Sequence, residues 1–261
     1  MTAAIETIHT DRPGIPFTRL LKVELRKMFD TRAGRWLMIS IAITAVVAAA
    51  SVIAFAPDSA ITYGAFSQAF GIPLNILLPV VAILLVTGEW SQRSGLVTFT
   101  LVPHRASVIW AKAIAAIVVG TVAVTLAFAI GALGNLVGAA INGVDPVWDV
   151  ELVQYFTIGL TFLLALLLGF ALGALFRSTA AAIVGYFVYG FVVPTIFGVL
   201  AAFQEWFRDL QPWVDFNFAQ IPLFEGNPSG EEWAHLGTSG LIWFVLPLTA
   251  GVLLIMRSEV K

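Results

Sequence analysis

Residues 152–204 read LVQYFTIGLTFLLALLLGFALGALF, then Arg177, then STAAAIVGYFVYGFVVPTIFGVLAAFQ, and Arg177 is the only formal charge among them. Each arm exceeds the roughly 20 residues that a helix rising about 1.5 Å per residue needs to cross an apolar layer of about 30 Å. Four further charge-free stretches of this kind lie outside the pair, at 36–57, 59–88, 113–144 and 233–256. Charged residues make up 11% of the 261-residue chain and hydrophobic ones 59%, whereas about a quarter of residues in soluble domains are charged. The chain therefore reads as an all-α membrane protein with six transmembrane helices, at approximately 36–56, 66–87, 108–131, 152–176, 180–200 and 236–256.

The charges between these spans predict an orientation. With the N-terminus cytoplasmic, the inner segments hold Arg12, Arg19, Lys22, Arg26, Lys27, Arg32 and Arg35 before the first span. They also hold Arg93, Arg105 and Lys112 between the second and third, Arg177 between the fourth and fifth, and Arg257 and Lys261 at the end. Only Arg208 of the 14 basic residues then falls outside. Short loops rich in Lys and Arg are retained on the cytoplasmic side, so an N-in/C-in arrangement is expected. The organisation that follows is a cytoplasmic tail and amphipathic interfacial helix over 1–35, a six-span domain over 36–256 and a cytoplasmic end over 257–261.

The first 35 residues lack the early apolar core of a secretory signal peptide. From Pro16 to Asp30 the spacing is helical: Phe17, Leu20, Leu21, Leu25, Met28 and Phe29 share one face, and Arg19, Lys22, Arg26, Lys27 and Asp30 lie opposite. Val23 and Glu24 are exceptions to the pattern. Two readings stand for this helix and its basic residues Arg26, Lys27 and Arg32: a topogenic flank lying on membrane lipid, or an interfacial elbow that also touches a cytoplasmic partner.

Within the spans, Asn75 sits between Pro73 and Pro79. It either caps a kink or bonds across helices, or it lines a translocation path. The third apolar stretch is over-long for one crossing, and Gly131, Gly134 and Gly138 are expected to break its outer part near Gly131. The spacing of Gly134 with Gly138, and of Gly169 with Gly173, suits close helix packing. After the fifth span, Phe203, Trp206, Phe207 and Leu210 recur at helical spacing, which predicts a short helix dipping into the outer interface before the last span. All tryptophans except Trp243 lie at span ends or in this segment.

Several chemistries are disfavoured. There are no cysteines, which removes thiolate metal sites and cysteine nucleophiles. No ionisable residue falls in the core of an expected span, which removes the relay groups of proton-coupled carriers. A phosphate-binding loop needs Gly before its Lys, but Lys22, Lys27, Lys112 and Lys261 follow Leu, Arg, Ala and Val. ATP, if used, belongs to another subunit. Glu231-Glu232 with His235, and Gly237-Thr238-Ser239-Gly240, resemble protease motifs but lack partner histidines in other spans. No catalytic, metal or cofactor-binding residue is expected, and no nucleic-acid partner.

The most informative connection is GEWSQRSGLVTFTLVPHRASVIWA, residues 88–111. With KVELRKMFDTRAGRW before span one, Gly88-Glu89 closing span two, Arg93 with Gly95, Pro103-x-Arg105 leading to Lys112, and LGALFRSTAAAIV across spans four and five, the chain resembles the permease subunits of type-2 ATP-binding-cassette transporters. Gly95 is followed by Leu-Val-Thr, where that family often has Thr directly. The resemblance implies a permease subunit of an ATP-driven exporter in a prokaryotic cytoplasmic membrane. It implies pairing with a second permease copy or paralogue and with a separate ATP-binding-cassette ATPase. It also implies that Glu89, Arg93, Gly95, Pro103 and Arg105 belong to the loop that contacts the ATPase, and that the aromatic outer segment is re-entrant. The alternative is a stand-alone channel or facilitator of the same membrane.

Overall fold

A computed structural model describes residues 15–91 and 105–257. Nearly all of this is helix, and six helices are long and apolar enough to cross a membrane. Helix α1 (Phe17–Asp30) turns at Thr31 into α2 (Arg32–Phe55). Thr31 is extended, and its hydroxyl accepts the Gly34 N–H at 3.0 Å, so one residue both stops α1 and caps α2. A Cβ on Gly34 would collide with the Met28 carbonyl oxygen, so this elbow requires glycine.

Helices α3 (Tyr63–Ala69) and α4 (Gly71–Ser91) follow, separated only at Phe70. The span expected at 66–87 thus begins inside α3 and stops one turn short of the end of α4. The next helix corrects the sequence reading more sharply. Helix α5 runs unbroken from Arg105 to Asn142, 38 residues or about 57 Å, so the span expected to end near Gly131 continues for three more turns. Its glycines are seats rather than breaks. A Cβ on Gly131 would lie 2.9 Å from the Phe70 ring, and one on Gly134 would lie 2.8 Å from Phe66. Phe66 and Phe70 are both buried there. The helix survives its glycines because aromatic packing along one face outweighs a propensity cost of about 1 kcal/mol per glycine.

Helix α6 (Leu152–Phe176) coincides with its expected span. It opens with a reciprocal capping box between Glu151 and Gln154, and Arg177 ends it in the left-handed region at φ 52°. Gly169 lies against Pro79 of α4, where a Cβ would come within 2.7 Å of the proline Cα and carbonyl oxygen, and Gly173 packs over Ile83 and Val86. These glycines join α4 to α6 within the chain, the closest helix pair at the centre of the fold.

The fifth crossing comprises α7 (Thr179–Phe187), a π-turn at Val188–Val192 and α8 (Val193–Phe203). The sixth comprises α10 (Gly230–Gly240), a π-turn at Leu241–Val245 and α11 (Leu246–Arg257). Each π-turn ends two residues before a proline, Pro194 or Pro247. A proline has no N–H for the carbonyl four residues back and its ring crowds that carbonyl. The wider turn, closed by Val193 N–H to Val188 O in one case and Leu246 N–H to Leu241 O in the other, accommodates both problems.

Between these crossings lie α9 (Glu205–Val214) and a 3-10 helix (Phe218–Phe224). Of the aromatic stripe expected on α9, Phe207 is buried, while Trp206 and Leu210 stay exposed. Buried Asp215 organises the turn after α9, accepting the backbone N–H groups of Asn217 and Phe218 and the Gln211 amide. Trp243, the mid-span tryptophan, sits in the second π-turn, packs on Tyr189 of the first at 5.2 Å between ring centres, and donates to Val214 O at 2.7 Å. The crossings alternate in direction: Glu89 at the end of α4 meets α1, and Gly251 of α11 packs on Ala174 and Leu175 at the same end.

Candidate functional site

At the α1 end, four charged side chains converge. Glu24 of α1 lies at the centre of that helix's buried stripe, with Leu20 and Met28 one turn to either side. Lys27 comes from the next turn of α1, Glu89 from the last turn of α4, and Lys112 from the second turn of α5. Glu24, Glu89 and Lys112 are each buried. Lys112 Nζ donates to Glu24 Oε2 at 2.7 Å and to Leu85 O at 3.1 Å, and pairs with Glu89 Oε1 at 3.0 Å. An ammonium has three N–H donors, and here it meets three oxygens. Lys27 Nζ bonds Glu24 Oε1 at 2.8 Å and the same Glu89 Oε1 at 3.0 Å, with its side chain 40% exposed. Among the described residues, two lysines stand against two glutamates, and such pairing is what allows these charges to leave water.

The electrostatics of Lys27 follow from this. Burial opposes its charge, but the bonds and charges of Glu24 and Glu89 outweigh burial and hold its pKa above the ordinary lysine value. One turn before Glu89, the buried Thr87 hydroxyl meets the Thr179 hydroxyl at 2.7 Å, tying α4 to the start of α7. The α1 end of the core is therefore a joint in which α1, α4, α5 and α7 are cross-linked by polar contacts.

Some sequence-predicted residues enter this joint and others do not. Glu89 is central. Lys27 belongs to it, which corrects its placement on the outward face of α1: it stands three residues from Glu24 and so shares the inward flank. Arg26 remains outward, with only an exposed pairing to Asp30 at 4.0 Å, and Arg32 is exposed at the start of α2. Arg93, Gly95 and Pro103 lie outside the described residues, and Arg105 is described only as the first residue of α5. Glu24 and Lys112 were missed as site residues. The signal for Glu24 was its violation of the amphipathic pattern, since an acid in an apolar stripe needs a partner. Lys112 gave no comparable signal: it counted as a topogenic base and as the residue to which the Pro103-x-Arg105 motif leads, not as a site residue.

Asn75, the candidate path residue, does two things. Its Nδ2 donates to Gly71 O at 3.1 Å, securing the first turn of α4, and its carbonyl accepts the Tyr186 hydroxyl at 2.6 Å. It also lines a cavity of about 480 Å³ between α4, α6, α7, the first π-turn and the 3-10 helix. The protease-like motifs are occupied locally: buried Ser239 donates to His235 O, one turn back on its own helix, at 2.7 Å. No family model matches the chain, and no curated protein matches it.

Proposed function

We propose that this chain is the membrane-spanning permease subunit of an ATP-driven exporter, working as a dimer with a separate cytoplasmic ATPase. The α1 end would face the cytoplasm. The observation that most supports this reading is the buried joint of Glu24, Lys27, Glu89 and Lys112. It ties the end of α4 and the start of α5, the two helices that flank residues 92–104, to each other and to α1. Helix ends tied in this way transmit displacement instead of absorbing it, because a packed, hydrogen-bonded polar cluster resists local deformation. A force-receiving loop needs that property. The order and spacing of the motifs that resemble type-2 ATP-binding-cassette permeases support the same reading, as does the thirteen-to-one division of basic residues.

The test is to purify the tagged chain from native membranes in mild detergent. A co-purifying protein with a phosphate-binding loop, and ATP hydrolysis that depends on it, is the expected outcome. Hydrolysis by the lone polypeptide, or substrate flux through proteoliposomes containing this chain alone and no ATP, would overturn the proposal.

A further inference from the structure

The cavity between α4, α6, the first π-turn and the 3-10 helix has a definite chemical character. Its volume, about 480 Å³, falls in the range of small-molecule sites, which runs from about 300 to 1,000 Å³. Asn75 lies 14 residues from Glu89 on α4, or about 21 Å along the axis, so the cavity occupies the end of the bundle opposite the ion cluster. Its lining carries no formal charge.

Four amides line it, Gln68, Asn75, Asn217 and Gln220, and the orientation of the last three is settled by chemistry. Asn75 Nδ2 faces Gly71 O, Gln220 Nε2 faces Phe216 O at 2.8 Å and Asn217 Nδ2 faces Tyr189 O at 3.4 Å. A backbone carbonyl accepts and never donates, so the nitrogen of each amide must be the end turned to the backbone. The oxygens of these three amides are left without a protein partner and are available as acceptors, while the Tyr189 hydroxyl, buried without a partner, is a donor in the same lining. Aromatic rings, Phe191 and Phe216 among them, share the rest of the wall with aliphatic side chains such as Ile76 and Leu168. Phe216 is buried at the floor, while Ile72 and Phe191 are exposed at the mouth. The π-turn contributes Tyr189, Gly190 and Phe191, and a Cβ on Gly190 would meet nothing within 4 Å. Widened turns of this kind recur at functional sites.

We infer that this cavity binds an uncharged amphiphile whose head group carries at least two hydrogen-bond donors, such as a hydroxyl-bearing lipid or lipid-like molecule, and whose apolar body lies against the aromatic wall. A cation would enjoy the same oxygens and rings but would be buried with no carboxylate in the lining, and an anion would be buried beside three amide oxygens with no cationic side chain to balance it. Binding is independent of the exporter reading. That the bound molecule is cargo rests on that reading.

The probe is a monoacylglycerol with a diazirine in its acyl chain, added to the full chain alone in phosphatidylcholine nanodiscs and mapped by peptide mass spectrometry. Saturable labelling of peptides from α4, the first π-turn and the 3-10 helix is expected. The dimethyl ether of the probe, which has no donors, and the trimethylammonium and phosphate analogues should label at least about threefold less, the worth of a hydrogen bond or two. Gly190→Leu fills open space and should cut labelling about tenfold while leaving the melting temperature unchanged. Gly198→Leu, two turns along in equally open surroundings but outside the cavity, should leave labelling within about twofold. Gln220→Met removes an acceptor without shortening the side chain and should weaken labelling about threefold. Equal labelling by the dimethyl ether or a charged analogue, indifference to Gly190→Leu, or no saturable labelling would each overturn the inference. Because no ATPase is present, none of these outcomes depends on whether the chain is an exporter.

Discussion

Lys112→Met is the sharpest test of the ion cluster. In the wild type two carboxylates, Glu24 and Glu89, share two ammonium groups, and the Lys112 side chain is 5% exposed against 40% for Lys27. Removing Lys112 takes one of the two described ammonium groups from these buried carboxylates and puts an apolar side chain where three oxygens had met three N–H donors. Breaking a buried pair from one side costs about 3–5 kcal/mol. For a chain of this size, about 2–4 °C of melting temperature follows each kcal/mol, so the expected loss is on the order of 10 °C. Lys27→Met also takes an ammonium group from both carboxylates, but its head group lies at the water-facing edge. Lys112 keeps its bonds to both carboxylates, and water can enter where Lys27 stood. That variant should lose only about 1 kcal/mol, or roughly 2–4 °C. Combining Lys112→Met with Glu89→Gln removes a charge that Lys112 had answered, keeps the Glu24–Lys27 pair, and should recover about 0.5–3 kcal/mol relative to additivity. The assay is thermal unfolding in detergent, followed by size-exclusion chromatography of the fluorescently tagged chain. If Lys112→Met melts within 2–3 °C of wild type, or if Lys27→Met is the more damaging of the two, the ordering by burial is wrong and the argument fails.

Three further outcomes are expected. Gly169→Ala pushes a methyl to within 2.7 Å of the Pro79 backbone and should destabilise by about 1–3 kcal/mol; Gly198→Ala, with nothing within 4 Å, should be neutral or stabilising by up to about 1 kcal/mol, and equal melting temperatures would refute the α4–α6 packing. Because the Lys27 pKa is raised on folding, its contribution is present in full below the unfolded lysine value and fades only as pH rises through the higher folded value; melting curves should lose an increment above about pH 10.5 that Lys27→Met lacks, and an increment lost near pH 7 would contradict the assignment. Finally, single cysteines introduced at Ser59, Asp145 and Asn227 should react with an impermeant maleimide from outside sealed cells while one at Ser94 should not, and labelling at position 94 would reverse the proposed orientation.

Much of the fold is readable from charge spacing alone. Burying a charge in an apolar layer is so costly that the absence of charges marks each crossing, and α6 appears over the residues its uncharged run predicts. The hairpin at Arg177 and the break at Thr31 are local events, set by one residue's backbone preference or hydroxyl, and they too follow from nearby sequence. The glycines of α5 do not. Whether Gly131 and Gly134 break a helix or seat a ring depends on Phe66 and Phe70, more than 60 residues away, and no local propensity encodes their arrival. The ion cluster is a stronger case. Glu89 stood out because it closes a span, and Glu24 because it interrupts an apolar stripe, but their partners are fixed by contacts such as Lys112 to Glu24 across 88 positions. The amide oxygens of the cavity became available only because three backbone carbonyls claimed the nitrogens. Sequence determined which segments leave water, since that is a sum over each segment's own residues. Tertiary structure decided which charges and amides meet, because pairing energy depends on distance and burial, and both are set by how the helices pack against one another.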